Sequence, residues 1–442
     1  MFDELKHMPL VNGTLRRPPG LYGMARRLIS RVASMDSDAR EAFQRERVAR
    51  VLKVARTLPG YSDAPASNEL SQWPILTKAR IAGREKDFCG GSILPAVPAA
   101  TGGTTGQPLK LSRTWRSVAL EQAVIDHLCL TCSLNTSVAR IAVLRGDSIK
   151  PANDMQPPFW VDEGPVRRIF SAHHLSRDTI RDYVAALRDF RPDILLCYPS
   201  SLSNLLELID NSETFQIPLV FASSEVLPQQ TMLRARQDFG ANVIDFYGHA
   251  ERIVCAWSLN GEGYRFLPAY GHVELIPDGP GLARIVATSL TPRGQIFVRY
   301  DTGDLLRVPS SDPRMLREIS VGVRPFQGID GRASEFVDIA DGRRIIGLNH
   351  IPRGVEGAIS IQICKVSECQ IDLYIVPADS FSAASGAQLI ANFRQKFPAS
   401  VEARAIFVQH SVREKNGKAP LLLRAPDLAS ISPTKSRPAL NF

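Results

Sequence analysis

A turn rich in glycine and threonine is the segment of the sequence best suited to binding an anion. Residues 101–108 read Thr-Gly-Gly-Thr-Thr-Gly-Gln-Pro and follow a short apolar run. Glycine lets the backbone approach a ligand closely, while exposed N–H groups and threonine hydroxyls donate hydrogen bonds to oxygens. No Gly-Lys-Ser/Thr follows, so this is not a Walker loop. The segment predicts a loop that wraps a phosphate chain, with a flexible surface loop as the alternative.

Two motifs further along the chain offer carboxylates. Residues 246–251 read Phe-Tyr-Gly-His-Ala-Glu, and residues 298–305 read Val-Arg-Tyr-Asp-Thr-Gly-Asp-Leu. Glu251 has the carboxylate oxygens that a hard cation such as Mg²⁺ prefers. Asp304 can accept two hydrogen bonds side by side, as the two hydroxyls of a ribose would require. Taken alone, the first pattern could be chance and the second an Asp-rich turn.

Two basic motifs lie nearer the C-terminus. Residues 328–335 read Gly-Ile-Asp-Gly-Arg-Ala-Ser-Glu, and residues 413–418 read Arg-Glu-Lys-Asn-Gly-Lys. Each contains a cation after a glycine, at Arg332 and Lys418. Taken singly, both motifs are typical of solvated turns.

In this order, the five motifs resemble those of the adenylate-forming superfamily of acyl-CoA synthetases, luciferases and peptide-synthetase adenylation domains. The resemblance extends over residues 101–418, and it implies a set of ATP-binding residues: Thr101, Gly102, Gly103, Thr104, Thr105, Gly106, Ser223, Ser224, Glu225, Phe246, Tyr247, Gly248, His249, Ala250, Asp304 and Arg332. It also implies that Lys418, Glu251 and Arg332 take part in catalysis.

The resemblance further implies a role for several of these residues. Tyr247 would flank the adenine, Asp304 would bind the ribose hydroxyls, and Glu251 would hold Mg²⁺ on the phosphates. Lys418 would reach the substrate carboxylate and the α-phosphate from a mobile lid. The lid would pivot at Ser334.

Three shorter segments look like those of phenylacetate–CoA ligases and their CapK-like relatives in capsule biosynthesis. These are Tyr-Pro-Ser-Ser at 198–201, Ser-Ser-Glu at 223–225 and Tyr-Gly-His-Val-Glu at 270–274. In that branch Ser223–Glu225 would line the adenine pocket. We place Tyr198, Trp115 and His249 in the acyl pocket, although aromatic residues are equally typical of a core.

The implied reaction is attack of a carboxylate on the α-phosphorus of ATP, which gives an acyl-AMP and pyrophosphate, followed by acyl transfer. A first hypothesis has CoA as the acceptor and an aryl or similar acid as substrate. A second has an amine, a sugar or a separate carrier protein as acceptor. A third is a non-catalytic nucleotide-binding protein, which four departures from the family motifs favour: Gly102, Gln107, Ala250 and Ser334.

The elements that would position these motifs alternate between strand and helix, which favours an α/β fold with largely parallel strands. Strands are predicted at Ala139–Leu144, Ile194–Cys197, Leu219–Ala222 and Val243–Phe246, with helices at Thr114–Cys132, Asp178–Phe190 and Leu202–Ile209. Short strands follow at Val273–Ile276, Ala283–Ala287 and Gln295–Arg299. A separate α+β pattern ends the chain, with strands at Ile359–Ile363, Ile371–Val376 and Ala405–Gln409 and a helix at Ala387–Phe397.

We therefore predict three regions. Residues 1–331 form a large adenylation domain with the nucleotide and acyl sites, residues 332–426 form a small mobile lid, and residues 427–442 form a disordered tail rich in Ser and Pro. Homodimerisation stays open.

Composition limits the class of protein. The 442 residues are 44% hydrophobic and 22% charged with a net charge of +8, and no Lys/Arg tract alternates with aromatics, so we expect no nucleic acid partner. No apolar stretch is long enough to cross a bilayer, and the N-terminus lacks the apolar core of a signal peptide. The seven cysteines suggest no disulfide framework, so we expect a reducing cytoplasm.

The spacing of the cysteines suggests two possible metal sites. Cys129 and Cys132 lie within an apolar helical pattern, and no second pair at a zinc spacing follows, so we favour a core role. His249 and Cys255 are two ligands only, which is too few to indicate a metal.

Overall fold

The computed structural model describes a mixed α/β chain. It describes residues 16–91, 96–101, 109–145, 147, 149–151, 154–210, 215–332, 337–340, 344–345, 348, 351–352, 354–413, 419–423 and 440–441. At 330–332, 344 and 440–441 it describes the backbone alone.

The described helices are, in chain order, α1 (Leu21–Ala33), α2 (Ser37–Ala55), α3 (Lys78–Ile81), α4 (Trp115–Thr131), α5 (Ile180–Phe190), α6 (Pro199–Leu208), α7 (Gln229–Phe239), α8 (Pro313–Ser320) and α9 (Ala383–Arg394). The described strands are β1 (Cys89–Gly90), β2 (Val97–Ala100), β3 (Lys110–Arg113), β4 (Ile141–Arg145), β5 (Trp160–Asp162), β6 (Arg167–Ser171), β7 (Ile194–Cys197), β8 (Leu219–Ser223), β9 (Asn242–Gly248), β10 (Cys255–Leu259), β11 (Arg265–Phe266), β12 (His272–Pro277), β13 (Leu282–Thr288), β14 (Gly294–Gln295), β15 (Tyr300–Arg307), β16 (Ile329–Arg332), β17 (Val337–Asp338), β18 (Arg344–Ile345), β19 (Ala358–Ser367), β20 (Gln370–Pro377), β21 (Glu402–Phe407), β22 (Leu422–Leu423) and β23 (Leu440–Asn441). Among the helices of these residues, none has the length and apolar character needed to span a bilayer.

The elements divide into two compact units. The first holds the described residues up to Ser137 together with Phe246–Ile329, and the second holds Val138–Asp245 together with the described residues from Asp330 onward. The predicted boundaries at 331/332 and 426/427 stay a prediction. At the C-terminus, Leu440–Asn441 pair with β21, and the disordered tail at 427–442 stays a prediction.

The first unit is built around an antiparallel sheet. β12 pairs with β13 over six residues, and β13 pairs with β15. The apolar sides of these strands join α2 and the segment around Trp73 in one core, because alternate residues of a strand point to the same face. Gly271 directly precedes β12 at a position where only glycine fits, since an added Cβ would lie 1.5 Å from the carbonyl oxygen of Ile253.

A half-buried histidine connects α2 to this sheet. Gln44 is 1% exposed, and its Nε2 donates to the carbonyl oxygens of Pro268 and Gly271, each at 3.0 Å. Its Oε1 therefore faces His272, whose Nδ1–H donates to it at 3.0 Å. Burial lowers the pKa of His272 to about 4.

The lowered pKa of His272 predicts that the folded protein is less stable in mild acid. Below about pH 6.5 the unfolded chain protonates His272 while the folded chain keeps it neutral, so stability falls as the pH drops from there to about 4. We expect this residue to remove about 2 kcal/mol from the free energy of unfolding at pH 5 relative to pH 8. Urea unfolding at both pH values measures the change, and His272→Gln should be less sensitive to pH. An equal change in both proteins would contradict the assignment.

The second unit contains a mainly parallel sheet. β4 pairs in parallel with β6 and β7, β7 pairs in parallel with β8, and β5 is antiparallel to β6. The strands β4, β7 and β8 are short and mostly apolar, as expected for strands of a sheet covered on both faces. The amphipathic helix α5 contributes its buried face, including Tyr183 and Leu187, to the core beneath them.

The C-terminal part of the second unit has its own sheet and core. Its strand order is β22-β19-β20-β21-β23, with β19 and β20 antiparallel. α9 begins at a capping box in which Ser382 and Ser385 exchange hydrogen bonds, and its Leu389 and Phe393 are buried against the sheet. α6 packs against β19 within this unit.

The predicted α/β class is confirmed, and most of the predicted elements are present. Ile194–Cys197 is a strand with the predicted bounds, and Thr114–Cys132 contains helix α4 with Thr114 as its N-cap. The strand predicted at Gln295–Arg299 is wrong. Residues 296–298 are buried but do not belong to a strand. Arg299, whose backbone is left-handed (φ 49°), directly precedes β15.

Candidate active site

The predicted phosphate loop joins the two strands of a hairpin. β2 and β3 are antiparallel, with Ala100 opposite Lys110. At the base of the loop Thr101 N donates to the carbonyl oxygen of Leu109 at 3.1 Å, and Leu109 N donates to Thr101 Oγ1 at 2.9 Å. The predicted residues Gly102, Gly103, Thr104, Thr105 and Gly106 lie outside the described residues.

A bulge in β15 positions Asp304. Asp301 is opposite Val286 and Leu305 is opposite Arg284, so three residues of β15 face one residue of β13. Gly303 has φ 75°, and its N–H donates to Asp301 Oδ1 at 2.9 Å. Such a bulge bends the strand locally and redirects a side chain. Here the redirected Asp304 is 4% exposed.

The motifs at 246–251 and 298–305 are joined by reciprocal hydrogen bonds. Tyr247 OH donates to Asp304 Oδ2 at 2.7 Å, and Tyr300 OH donates to Glu251 Oε1 at 2.8 Å. Each motif therefore supplies one carboxylate and one tyrosine. His249 Nε2 also lies 2.6 Å from Asp304 Oδ2, and because an ionised carboxylate only accepts, His249 is the donor.

An arginine from β3 fixes the backbone next to Glu251. Arg113 donates to the carbonyl oxygen of Ala250 through Nε at 3.1 Å and through Nη2 at 2.6 Å. Burial lowers the pKa of Arg113, and nearby Arg252 acts in the same direction. Two guanidinium groups thus lie near Glu251, where they add positive charge to the site.

Three parallel strands of the second unit bring predicted residues to one edge. β4, β7 and β8 are neighbours, and their carboxyl ends lead to Arg145, Tyr198 and Ser223. Ligands of open α/β sheets bind outside the carboxyl ends of the strands. Arg145 Nη2 donates to Ser223 Oγ at 3.1 Å, and its guanidinium carbon lies 5.9 Å from the centre of the Tyr198 ring.

The residues after β8 have an unusual backbone. Ser224 has φ 77°, in the left-handed region that residues other than glycine seldom adopt, and such strain concentrates at functional sites. Glu225 follows, and its carboxylate accepts hydrogen bonds from Ser200 N at 2.8 Å and Ser200 Oγ at 3.1 Å.

The remaining predicted residues are described only in part. Arg332 lies in β16, where the structure describes its backbone, and Ser334 and Lys418 lie outside the described residues. Trp115 and His249 belong to the first unit and Tyr198 to the second, so a common acyl pocket stays a prediction.

Of the three cysteines weighed as metal ligands, two are buried and Cys132 is half-buried. Cys129 and Cys255 are buried, and burial raises the pKa of Cys129 to about 12, so its thiol is protonated at neutral pH. Within the described part of the chain, no three His, Cys, Asp or Glu side chains are grouped so as to hold a metal ion.

Sequence reasoning missed Arg113 and Arg145. Both are single arginines at the carboxyl ends of strands, and neither belongs to a family motif quoted above. For Arg145 the available signal was its position after the apolar run Ile141–Leu144, where a charge is costly unless it binds something, whereas β3, which reads Lys-Leu-Ser-Arg, offered no such signal for Arg113.

Comparison with known proteins extends this description. No family model matches the chain. A phenylacetate–coenzyme A ligase of Pseudomonas putida is 28% identical over 208 residues, which are 43% of this chain and 44% of that protein. Protein CapK of Staphylococcus aureus is 20% identical over 273 residues, 61% of this chain and 60% of that protein. The matched segments thus span less than two thirds of either relative.

A solved structure shares the fold along most of the chain. It is a 2-hydroxyisobutyryl-CoA ligase in the postadenylation state in complex with R3-HIB-AMP, with a TM-score of 0.61 at 15% identity. The match covers 89% of this chain and 91% of that structure. At this identity the match shows the fold alone. The resemblance to the adenylate-forming superfamily is therefore confirmed as a similarity, in sequence to a phenylacetate–coenzyme A ligase and to CapK and in fold to a 2-hydroxyisobutyryl-CoA ligase.

Proposed function

We propose that this protein activates a carboxylic acid with ATP as an acyl-AMP, releases pyrophosphate, and transfers the acyl group to CoA. The observation that carries the proposal is the reciprocal pairing of Tyr247 with Asp304 and of Tyr300 with Glu251. It links the two motifs that carry the residues expected to bind adenine, ribose and metal by two separate side-chain hydrogen bonds. A binding-only protein would need the ribose and adenine contacts but not the metal-binding carboxylate.

The donor set suits ATP and Mg²⁺. Asp304 is buried, and its Oδ2 accepts hydrogen bonds from Tyr247 and His249. Toward a ribose it would also act as an acceptor, for the hydroxyl groups. Tyr300 orients the Glu251 carboxylate through Oε1, so that Oε2 can serve a hard cation. When bound, Mg²⁺ would neutralise charge on the phosphates.

The first step joins two anions, so positioning and charge are its main requirements. A carboxylate oxygen of the acid attacks the α-phosphorus, and the bond to the bridging oxygen of pyrophosphate breaks. Arg332 and Lys418 would offset the charge of the meeting groups, while Arg113 holds the backbone beside Glu251 in place. In the second step the CoA thiol attacks the acyl carbonyl and AMP leaves.

The similarity to phenylacetate–coenzyme A ligase supports CoA as acceptor and an aryl acid as substrate. The decisive experiment measures pyrophosphate release with Mg-ATP against aryl, fatty, hydroxy and amino acids, with hydroxylamine to trap acyl-AMP. Acid-dependent release followed by a thioester on addition of CoA would support the full proposal. Hydroxamate without thioester would favour an amine, sugar or carrier acceptor. ATP binding without release for any acid would favour the non-catalytic alternative.

The ribose role of Asp304 makes a separate prediction. Asp304→Asn keeps the volume of the side chain but removes the charge and places an NH₂ group near the donors of Tyr247 and His249. Loss of a charge-assisted hydrogen bond costs about 2 kcal/mol, so we expect the Kd for ATP to rise about 30-fold. Binding of a fluorescent ATP analogue measures this.

Asp87→Asn is the control. Asp87 lies in the same unit and pairs with Arg84 at 3.0 Å on a largely exposed surface. We expect its Kd for ATP to stay within about 2-fold of the wild-type value, because exposed ion pairs contribute little. Unchanged ATP affinity in Asp304→Asn, with only a lower Tm, would refute the ribose role.

A further inference from the structure

The carboxylate of Glu225 joins two segments that are far apart in the sequence. On one side it accepts the two hydrogen bonds from Ser200, in the first turn of α6, where the helix dipole also favours a negative charge. On the other side Glu225 Oε1 accepts a hydrogen bond from Ala419 N at 3.2 Å. Ala419 is the residue directly after Lys418. All of these residues belong to the second unit.

Arg413, at the other end of the same motif, also faces Glu225. Burial lowers the pKa of Arg413, and the attraction of the Glu225 carboxylate acts in the opposite direction. A guanidinium removed from water needs an opposite charge close by. Glu225 supplies that charge, so it acts on the chain both before and after residues 414–418.

Gln362 in β19 ties together the same stretch of chain from inside the C-terminal sheet. Its side chain is 2% exposed, and Nε2 donates to the carbonyl oxygens of Val412 at 2.9 Å and Pro420 at 2.8 Å. Val412 N donates back to Oε1 at 2.8 Å. Gln362 therefore brings Val412 and Pro420 together from within the C-terminal sheet. Glu225 contacts the same stretch of chain from outside that sheet, in the segment after β8.

We propose that Glu225 is a positioning residue that holds the chain on both sides of Lys418 during acyl-adenylate formation. The proposal rests on the proposed function and on the role of Lys418 there. It differs from the adenine-pocket role that the sequence predicted for Glu225, because the hydrogen bonds of Glu225 are with Ser200 and Ala419 and its charge attracts that of Arg413.

This role affects one half-reaction only. Lys418 is needed while the carboxylate and the α-phosphate approach each other, and the acyl-AMP formed afterwards no longer requires it. Glu225 should therefore assist adenylation and leave the later acyl transfer unchanged. A residue of the adenine pocket would instead alter the affinity for ATP.

The first test measures anchoring without any substrate. Hydrogen–deuterium exchange of peptides that cover residues 411–421 is compared in the wild type, Glu225→Gln and Glu225→Ala. We expect faster exchange in both variants, greater in Glu225→Ala, because the acceptor of the Ala419 amide is weakened or lost. Glu207→Gln is the control, since Glu207 pairs with Arg234 at 2.6 Å elsewhere in the same unit. Unchanged exchange in both Glu225 variants overturns the proposal.

The second test separates the half-reactions. Pyrophosphate release is measured with ATP and phenylacetate, and thioester formation is measured from synthetic phenylacetyl-AMP and CoA. For Glu225→Gln we expect kcat of the first reaction to fall about 10-fold with KM for ATP within about 2-fold, and the second reaction to stay within about 2-fold. Glu207→Gln should match the wild type in both.

Two results in this second test overturn the proposal. A higher KM for ATP at unchanged kcat would return Glu225 to the adenine pocket, and an equal loss in both half-reactions would mean a general structural role. Absence of pyrophosphate release from the wild type would instead count against the proposed function, and the exchange measurement would still decide whether Glu225 anchors this stretch of chain.

Discussion

Replacing Lys418 with alanine is expected to slow acid-dependent pyrophosphate release about 100- to 1,000-fold, the range typical for removal of one preorganised charge or donor at a transition state. The ammonium group would neutralise charge as the carboxylate meets the α-phosphate. Transfer from preformed phenylacetyl-AMP to CoA should stay within about 2-fold of the wild-type rate, since that step uses no such neutralisation. Single-turnover assays of each step measure both rates.

Lys415→Ala is the matched control for this prediction. Lys415 lies three residues earlier in the same basic motif and has the same charge. We expect it to retain most of the adenylation rate, because the resemblance assigns the role at the α-phosphate to the lysine directly after Gly417 and not to Lys415. Equal losses in Lys415→Ala and Lys418→Ala would mean that the motif acts through its overall charge, and the specific role of Lys418 would be wrong.

Glu251→Gln is expected to reduce adenylation about 100-fold and to raise the Mg²⁺ concentration needed for half-maximal rate. Glutamine keeps an acceptor for Tyr300 OH, so the hydrogen bond at 2.8 Å can persist while the charge is lost. A neutral amide is a weaker ligand for Mg²⁺ than a carboxylate. A magnesium titration of the pyrophosphate-release rate measures both effects.

Tyr300→Phe separates the charge of Glu251 from its orientation. It removes the hydroxyl that donates to Glu251 and keeps the carboxylate, so we expect a loss of only about 5-fold with nearly normal magnesium dependence. If Glu251→Gln had normal magnesium dependence, the metal role of Glu251 would be refuted.

Much of the fold could be predicted because strands buried on both faces have sequences that are continuous apolar runs. Ile194–Cys197 and Leu219–Ala222 are two such runs, and both are strands of the parallel sheet. The failure at residues 295–299 has a physical reason: Ile296 and Phe297 are buried by packing, and burial does not require a place in a strand ladder. α9 begins at Ala383, four residues earlier than predicted, because a capping box rather than an apolar residue sets its start.

The site could be predicted residue by residue but not contact by contact. Glu251 and Asp304 were identified by motif, yet their tyrosine partners lie 49 and 57 positions away. Such pairings depend on how the bulge in β15 turns Asp304, and the sequence alone does not fix this geometry. The contact of Glu225 with Ala419 spans 194 positions and was likewise beyond sequence reasoning.

The hydrogen bonds of Gln362 affect how readily the sequence between Val412 and Pro420 can change in length. They close the chain between Val412 and Pro420 at its two ends, so the ends stay together whatever number of residues lies between them. Lengthening a closed segment is inexpensive, since doubling its length costs only about 0.6 kcal/mol. We therefore expect the sequence between Val412 and Pro420 to tolerate insertion or exchange while the strand that carries Gln362 stays the same.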